Sequence, residues 1–263
     1  MRALVTGGAG FIGSHLCDSL LDKKWTVDVI DNLSTGSIDN IKHLKGKKRF
    51  HFHIDSVTNE KIMEQLIKKS DIIFHLAAAV GVKYVLDNPL DSIKTNVRGT
   101  EIVLELSNRF GKKKVFLAST SEIYGKNMDG KAAFKEENDR LLGSTTKWRW
   151  SYSCTKALDE FLALAYYREK ELPVVIGRFF NTCGPRQTGR YGMVIPRFIK
   201  QALLNKAITI YGDGKQTRCF LYVEDAISAL TRLTNERKAI GEIFNIGNPV
   251  SYTHLTLPTK RIV

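Results

Sequence analysis

Apolar and polar positions along the 263-residue chain follow two periods in turn, and this pattern predicts strands followed by helices. Short apolar runs at residues 3–5, 25–30, 49–54, 71–76 and 115–118 are typical of strands. Helical spacing of apolar residues begins at residue 11 and returns at residues 59–69, 89–110 and 150–169. Strands that alternate with helices predict an α/β fold with a doubly wound parallel sheet.

The turn between the first strand and the first helix carries three glycines, Gly7, Gly10 and Gly13. The first permits a tight turn, the second lets a pyrophosphate approach the backbone, and the third lets helix and strand pack closely. The N–H groups at the start of the helix favour phosphate groups. Strand, glycine turn and helix in this order predict a dinucleotide site, although a glycine pattern by itself also fits an ordinary turn.

An acidic residue, Asp31, directly follows the second strand, about twenty residues beyond the glycines. This position suits the adenosine ribose hydroxyls and repels a 2′-phosphate, which favours NAD over NADP. A turn-forming role before Asn32 is compatible with the same position. Asp55 ends the third strand as a candidate contact to the adenine, and Ala77 and Ala78 are small enough for a flat ring to lie close.

Polar residues that can do chemistry follow the fifth strand and continue on the next helix. Thr120 and Glu122 lie at the carboxyl end of that strand, where open α/β sheets bind their ligands. Tyr152 and Lys156 are four residues apart, on one side of a helix, so we expect them to point into the same cleft. A nearby ammonium lowers the pKa of a tyrosine, which would make Tyr152 a general base; a surface helical pair is the alternative.

The formal net charge of +13 raises the question of an anionic partner such as nucleic acid. No aromatic residues interleave with the basic clusters, so we expect solvated loops that attract phosphorylated substrates, and no nucleic acid. The four cysteines have no zinc spacing, and we expect free thiols and no metal. No apolar run is long enough to span a bilayer, and the first strand begins beside Met1, so we expect a cytoplasmic protein with no membrane partner.

Six segments, TGGAGFIG, HLAAA, NVRGT, STSEIYG, YSCTK and RFFNTCGPR, together resemble the extended short-chain dehydrogenase/reductase family. The resemblance is to its nucleotide-sugar epimerase/dehydratase branch, and UDP-glucose 4-epimerases in particular. It implies a Rossmann domain over residues 1–180 with NAD as cofactor. It also implies a partial substrate lobe over residues 181–249, a nucleotide-diphosphate sugar as substrate and a homodimer.

The resemblance also implies roles for individual residues. The catalytic group would be Thr120, Glu122, Tyr152 and Lys156. The residues implied to hold NAD are Gly7, Gly10, Phe11, Ile12, Gly13, Asp31, Asn32, Asp55, Leu76, Ala77, Ala78, Asn96, Tyr152 and Lys156. Those implied to hold the sugar nucleotide are Asn181, Val194, Tyr211 and Arg218.

The choice of reaction depends on the fate of the sugar after its oxidation at C4. Ser121 stands where dehydratases of this family usually carry an Asp that acts as an acid, which disfavours dehydration. Thr-Ser-Glu also occurs in UDP-glucuronate decarboxylases, but Ser153, Cys154 and Thr155 resemble epimerases. We therefore expect a 4-epimerase, with a decarboxylase or a dTDP-glucose 4,6-dehydratase-like lyase as alternatives. A dinucleotide-sensing or RNA-binding relative is the non-enzymatic alternative, which the presence of Thr120, Tyr152 and Lys156 disfavours.

The last residues, 250–263, depart from the family pattern. Residues 241–249 match a late strand and its turn, but the helix expected next is replaced by alternating residues and Pro258. We expect this tail to be non-native and the natural protein to continue with further helices of the substrate lobe.

Overall fold

Residues 1–126, 134–189, 194–210, 214 and 218–248, with the backbone of Ser251–Tyr252, are described by the computed structural model of the chain. Its main feature is a sheet of seven strands with helices on both sides. The strands are β1 (Arg2–Thr6), β2 (Thr26–Ile30), β3 (Phe50–His53), β4 (Ile72–His75), β5 (Lys114–Thr120), β6 (Val174–Phe179) and β9 (Ile243–Ile246).

All pairs in this sheet are parallel, in the order β3-β2-β1-β4-β5-β6-β9. Chain order reverses between β1 and β4, and such a switch point opens a crevice at the carboxyl ends of the strands. The predicted doubly wound Rossmann-type α/β fold is confirmed.

Seven α-helices lie among the described residues. They are α1 (Phe11–Asp22), α2 (Glu60–Lys68), α3 (Val82–Asp87), α4 (Pro89–Arg109), α5 (Ser151–Lys170), α6 (Val194–Leu203) and α7 (Val223–Asn235). Four of them, α1, α2, α4 and α5, follow strands as the periodicity predicts. Among the described helices, none has both the length and the apolar character that crossing a membrane requires.

Alternate residues of each strand pack into two apolar cores, one on either side of the sheet. Ala3 and Val5 of β1 pack with Leu16 of α1 and Leu230 of α7. Leu4, which lies between them, packs on the other side with residues of α2, α4 and α5. Side chains of successive strand residues point to opposite faces, so a strand covered on both faces reads as a continuous apolar run.

A second, smaller sheet joins β10 (Ser251–Tyr252), β8 (Arg218–Tyr222) and β7 (Asn181–Cys183). β7 and β8 run parallel, and β10 pairs with β8 in the antiparallel direction. β7, β8 and α6 belong to the segment 181–249 that we expect to form the substrate lobe. The tail predicted at 250–263 lies outside the described residues, apart from the backbone of β10.

Candidate active site

A cleft of about 970 Å³ lies at the carboxyl ends of the strands, at the switch point between β1 and β4. Its walls come from the turns after β1, β2, β4 and β5, from the start of α5, and from β7, β8 and α6. Most of the residues expected to bind the dinucleotide line this cleft: Gly7, Gly10, Phe11, Ile12, Gly13, Asp31, Asn32, Asp55, Leu76, Ala77, Ala78 and Tyr152.

The glycine turn leaves room at the backbone that any larger residue would fill. Gly7 has φ of +71°, which favours glycine, and a Cβ there would stand 2.9 Å from the backbone of Ala77. A Cβ at Gly13 would collide with the carbonyl oxygen of Gly7. Gly10 precedes α1, and none of the described side chains caps that helix start. The turn therefore offers backbone N–H groups to a phosphate, as a dinucleotide requires.

Asp31 ties the end of β2 to the glycine turn. Its carboxylate accepts the N–H of Ala9 at 2.9 Å and the N–H of Leu33 at 2.8 Å. Burial raises the pKa of Asp31, and these amide hydrogen bonds oppose the rise. A carboxylate in this wall suits ribose hydroxyls and repels a 2′-phosphate, so the donor set fits NAD.

The opposite wall is fixed by buried amide and hydroxyl contacts. Ala77 donates its N–H to Thr6 Oγ1 at 3.1 Å, and Ala79 donates to Asn96 Oδ1 at 2.7 Å. Asn96 is 1% exposed and also donates to Thr155 Oγ1 at 3.2 Å, so it joins α4 to α5. Asn96 therefore supports the wall from behind and does not line the cleft, and its implied part in holding NAD stays a prediction.

Thr120, Glu122 and Tyr152 meet at the end of β5. The Thr120 hydroxyl accepts the N–H of Glu122 at 3.2 Å, and a hydrogen bond also joins it to the phenol of Tyr152. All three residues line the cleft, with Ser121 beside them. In the sequence, Tyr152 lies about thirty positions after Thr120 and Glu122. The structure brings the three side chains together because β5 and the start of α5 pack against each other.

The electrostatic expectation for Tyr152 is corrected by this environment. Burial raises the pKa of the phenol above its usual range, and the charges of Glu122 and Asp159 raise it further. The hydrogen bond to Thr120 acts in the opposite direction. We expected a lowered pKa from the spacing between Tyr152 and Lys156. That spacing reveals neither the burial of the phenol nor the two nearby carboxylates.

Lys156 lies behind the cleft and does not line it. Its ammonium is 2% exposed and donates to Asp159 Oδ2 at 2.9 Å. No hydrogen bond joins Lys156 to Tyr152 among the described residues. The two side chains share a helix, as predicted, but the expectation that both point into the cleft is wrong for Lys156, because its neighbour one turn on is a buried carboxylate.

A buried histidine completes the region behind the cleft. His75 Nδ1 is 2.8 Å from Thr6 Oγ1, and Nε2 is 3.2 Å from Thr100 Oγ1. Burial lowers the pKa of His75 to about 3, and the charge of Lys156 lowers it in the same direction. His75 is therefore neutral and connects β1, β4 and α4 through hydroxyl groups.

The three residues between Tyr152 and Lys156 do not line the cleft. The Ser153 hydroxyl donates to the carbonyl oxygen of Glu122 at 2.8 Å, and Thr155 donates to the carbonyl oxygen of Tyr152 at 2.9 Å. Cys154 is exposed and lines a second groove of about 200 Å³. These residues therefore lie outside the cleft lining and contact the backbone of Glu122 and Tyr152 or line the second groove.

Asn181 of β7, Val194 of α6 and Arg218 of β8, three of the residues expected to hold the sugar nucleotide, line the cleft. Asn181 Nδ2 donates to the carbonyl oxygen of Cys219 at 3.1 Å, which fixes β7 beside β8. Tyr211, the fourth residue expected here, lies outside the described residues.

Two residues near the reaction centre were missed by sequence reasoning. Asp159 pairs with Lys156, and its position three residues further along the helix was the available signal. Arg149 lines the cleft three residues before Tyr152, and its guanidinium stacks on the Trp150 ring at 4.6 Å. The available signal was a positive charge three residues before the candidate base in the sequence.

Comparison with known proteins identifies the family. Residues 3–247 match the NAD dependent epimerase/dehydratase family, and the chain belongs to it. The expected family and its NAD cofactor are thereby confirmed. A member of this family is an NAD-dependent enzyme.

The chain is similar to decarboxylases and to epimerases of known name. It is 44% identical to the UDP-N-acetyl-alpha-D-glucosaminuronate decarboxylase of Bacillus cytotoxicus, over 94% of this chain and 75% of that protein. It is 38% identical to UDP-glucuronic acid decarboxylase 1 of Arabidopsis thaliana, over 98% of this chain and 57% of that protein. Among solved structures, the UDP-glucuronic acid 4-epimerase of Bacillus cereus, in complex with UDP-glucuronic acid and NAD, has a TM-score of 0.86 at 35% identity. That match covers 97% of this chain and 80% of the epimerase chain.

Proposed function

We propose that this protein is an NAD-dependent decarboxylase of a UDP-linked uronic acid. The observation that carries the proposal is its 44% and 38% identity to two decarboxylases of such substrates. Thr120-Ser121-Glu122 in the cleft is consistent with that reaction. The epimerase expected from the sequence rested on residues 153–155, which lie outside the cleft, and the decarboxylase was its alternative.

The cleft supports a first step at C4 of the sugar. Tyr152 takes the proton of the C4 hydroxyl, and Thr120, which is hydrogen-bonded to the phenol, orients the same oxygen. The glycine turn and Asp31 would hold NAD, which would supply hydride-accepting and hydride-donating chemistry at C4. Glu122 and Ser121 line the same cleft as Tyr152, so they lie next to a sugar whose C4 hydroxyl is at Tyr152.

The second step follows from the chemistry of a uronic acid. Oxidation at C4 places a ketone β to the C6 carboxylate, so the C5–C6 bond breaks, CO₂ leaves and its bonding electrons pass to the C4 enolate. A proton must then reach C5 before the ketone is reduced. The negative charge of Glu122 in the cleft wall disfavours a retained substrate carboxylate and favours its loss as neutral CO₂.

Arg149 is the residue we assign to recognition of the C6 carboxylate, because it lines the same cleft as Tyr152 and carries a positive charge. We expect Arg149→Gln to raise KM for UDP-uronic acids about tenfold or more, and to change the affinity for neutral UDP-sugars little. Arg218→Gln is the matched control: Arg218 lies on β8, and its loss should weaken binding of acidic and neutral UDP-sugars alike. Equal effects of Arg149→Gln on both kinds of ligand would contradict the assignment.

The reaction itself is tested with purified protein, NAD and three substrates: UDP-glucuronic acid, UDP-N-acetylglucosaminuronic acid and UDP-glucose. We expect CO₂ and a UDP-pentose or its N-acetylated counterpart from one or both acids, and no product from UDP-glucose. Proton NMR of the sugar distinguishes a pentose from an epimer. Conversion of an acid to its C4 epimer without release of CO₂ would refute the decarboxylase proposal.

A 4-epimerase of UDP-glucuronic acid is the second candidate. The observation in its favour is the TM-score of 0.86 with the Bacillus cereus enzyme, a 4-epimerase bound to UDP-glucuronic acid. The first step is the same, and the two reactions diverge only in the fate of the 4-keto acid. The same incubation therefore decides between them.

We also infer a homodimer formed through α4 and α5, with residues 181–249 acting as the substrate lobe of each copy. Leu158 and Phe161 of α5 are 50% and 64% exposed, and they line the groove that Cys154 also lines. Large exposed apolar side chains in one groove favour association. Light scattering should give twice the chain mass of 29.7 kDa, and a mass of one chain would refute the dimer.

A further inference from the structure

The ion pair between Lys156 and Asp159 is enclosed by the fold. The Lys156 side chain is 2% exposed and that of Asp159 is 1% exposed, with 2.9 Å between Nζ and Oδ2. Both lie on α5, at the side that packs against α4 and β5. Charges removed from water in this way are costly unless they are paired.

Other charged and titratable groups near this pair have partners of their own. Glu160, the next residue, accepts both Arg178 Nε at 2.9 Å and Ser119 Oγ at 2.5 Å. His75 on β4 is neutral, and Arg149 before α5 stacks on Trp150. The groups that interact with the pair from the packed elements are Tyr152 and Glu160 of α5, His75 of β4 and Thr100 of α4. Ser119 of β5 and Arg178 of β6 bond to Glu160.

Asp159 is therefore the carboxylate that balances Lys156: among the described residues, no other carboxylate bonds to its ammonium. The resemblance implies that Lys156 assists Tyr152 and holds the dinucleotide, so the charge of Lys156 bears on the reaction. A buried amine that loses its counter-ion gives up its proton, and a neutral amine cannot stabilise a phenolate.

We propose that Asp159 is a positioning residue, which keeps Lys156 protonated and holds its ammonium in place behind Tyr152. The proposal depends on the proposed function only in the role that Lys156 has in the reaction. The pairing has a second effect on the site, since the negative charge of Asp159 also raises the pKa of Tyr152. Asp159 thus acts on Tyr152 directly, in addition to its pairing with Lys156.

Asp159→Asn tests the proposal without any enzymatic assay, because the amide keeps the shape and removes the charge. We expect Lys156 to be neutral in the folded variant and protonated in the unfolded chain around pH 7 to 9. The unfolded chain then binds one more proton, so the folding equilibrium constant of the variant rises by up to about tenfold per pH unit relative to that of the unchanged protein. Denaturant unfolding at several pH values measures this slope.

Glu160→Gln is the matched control, since it removes a buried carboxylate from the next position of the same helix but leaves Lys156 paired. It should lower stability equally at all these pH values. An Asp159→Asn variant whose stability runs parallel to that of the unchanged protein from pH 6 to pH 9.5, about the range between a lowered and an ordinary lysine pKa, would overturn the proposal.

A second measurement covers the case in which Asp159→Asn does not fold. The NAD dissociation constant is measured by calorimetry from pH 6 to pH 9 for the unchanged protein and for Lys156→Gln. If Asp159 keeps Lys156 protonated, the ratio of the two constants stays the same throughout. A ratio that falls towards one as the pH rises would show Lys156 losing its proton beside an intact Asp159, and would overturn the proposal whatever reaction the protein catalyses.

Discussion

The phenol of Tyr152 is surrounded by groups that act on its proton in opposite directions. Burial, Glu122 and Asp159 raise its pKa, while Thr120 lowers it by a hydrogen bond. A base with a raised pKa is protonated at neutral pH, so the fraction of active phenolate grows as the pH rises. The charges that face this one oxygen therefore set the pH at which the proposed reaction is fast.

Tyr152→Phe should lower turnover by about a thousandfold, because it removes the group that accepts the C4 proton. NAD affinity should stay unchanged, since the glycine turn and Asp31 are intact. Turnover and calorimetric titration with NAD measure the two effects separately.

Tyr84→Phe provides a matched control, because Tyr84 also lines the cleft but donates its hydroxyl to Asp91 at 2.8 Å. That variant should retain most of the turnover. A Tyr152→Phe protein with full activity would instead favour a role that needs no base, such as dinucleotide sensing or RNA binding.

The sequence was sufficient to predict which residues form the candidate site and which strand end or helix carries each of them. Gly7, Asp31 and Tyr152 were found because each follows a strand end or lies on a helix at a fixed spacing. The side on which Ser153 to Thr155 project could not be predicted, because it depends on how α5 rotates against β5. The pairing of Lys156 was missed for a related reason: spacing shows which residues share a helix side but not how deeply that side is buried.

At the scale of elements, the glycine turn depends on close contact between β1, α1 and the end of β4. Gly7 approaches Ala77, and Gly13 approaches the carbonyl oxygen of Gly7. The turn is also held by Asp31 from β2, through the N–H of Ala9. Three strands thus determine the shape of one loop, and a change at any contact is transmitted to the N–H groups that it presents.

Gly13→Ala should destabilise the protein by about 2 kcal/mol, because the new Cβ must displace the Gly7 carbonyl group. NAD affinity should fall in parallel, by about tenfold or more, since the displaced backbone carries the phosphate-binding amides. Urea unfolding and calorimetry measure the two changes.

Gly189→Ala is the comparison variant, because a Cβ there meets its nearest neighbours at an ordinary distance of 3.5 Å. It should alter stability by less than about 1 kcal/mol. Equal effects of the two substitutions would mean that the turn has room to adjust.

The two long helices α4 and α5 were predicted to within one residue at each end, but the strands of the small sheet were not predicted. The helix predicted at 89–110 is α4, Pro89–Arg109, and the one predicted at 150–169 is α5, Ser151–Lys170. β7 has three residues, and its partner β8 lies almost forty positions further along the chain. Such a strand is defined by long-range pairing and carries no local pattern, so the small sheet could not be seen in the sequence.

At the scale of the whole molecule, Asp28 joins three distant parts of the chain. Its side chain is fully buried, accepts Arg2 Nε at 2.6 Å and pairs with Lys69 at 2.8 Å. Burial by itself would raise the pKa of Asp28, but the hydrogen bonds from Arg2 and Lys69 outweigh it and lower the pKa. The carboxylate thereby connects β1, β2 and the end of α2.

Asp28→Asn should reduce the free energy of unfolding at pH 7 by about 3 kcal/mol, since two cations lose their buried partner. Because the folded pKa lies below the unfolded value of about 4, the charged carboxylate contributes fully above pH 4. That contribution is lost as the pH falls through the folded pKa, so the two proteins should converge in acid. Urea unfolding from pH 7 to pH 3 measures the difference.

The exposed pair of Asp39 and Lys42 offers the control. Asp39→Asn should change stability by less than about 1 kcal/mol. A difference between Asp28→Asn and the unchanged protein that stays constant into acid would mean that the charge of Asp28 contributes nothing.

The Cys17 thiol lies beneath the glycine turn, fully buried and 4.0 Å from the carbonyl oxygen of Gly8. Burial raises its pKa, so neither access nor thiolate chemistry favours attack by an alkylating reagent while α1 is in place. Cys154 is exposed on the outer side of α5 and reacts without such an opening. Labelling of Cys17 should therefore be slow, and its rate relative to that of Cys154 should report how often the phosphate-binding turn opens. A bound dinucleotide should slow the labelling of Cys17.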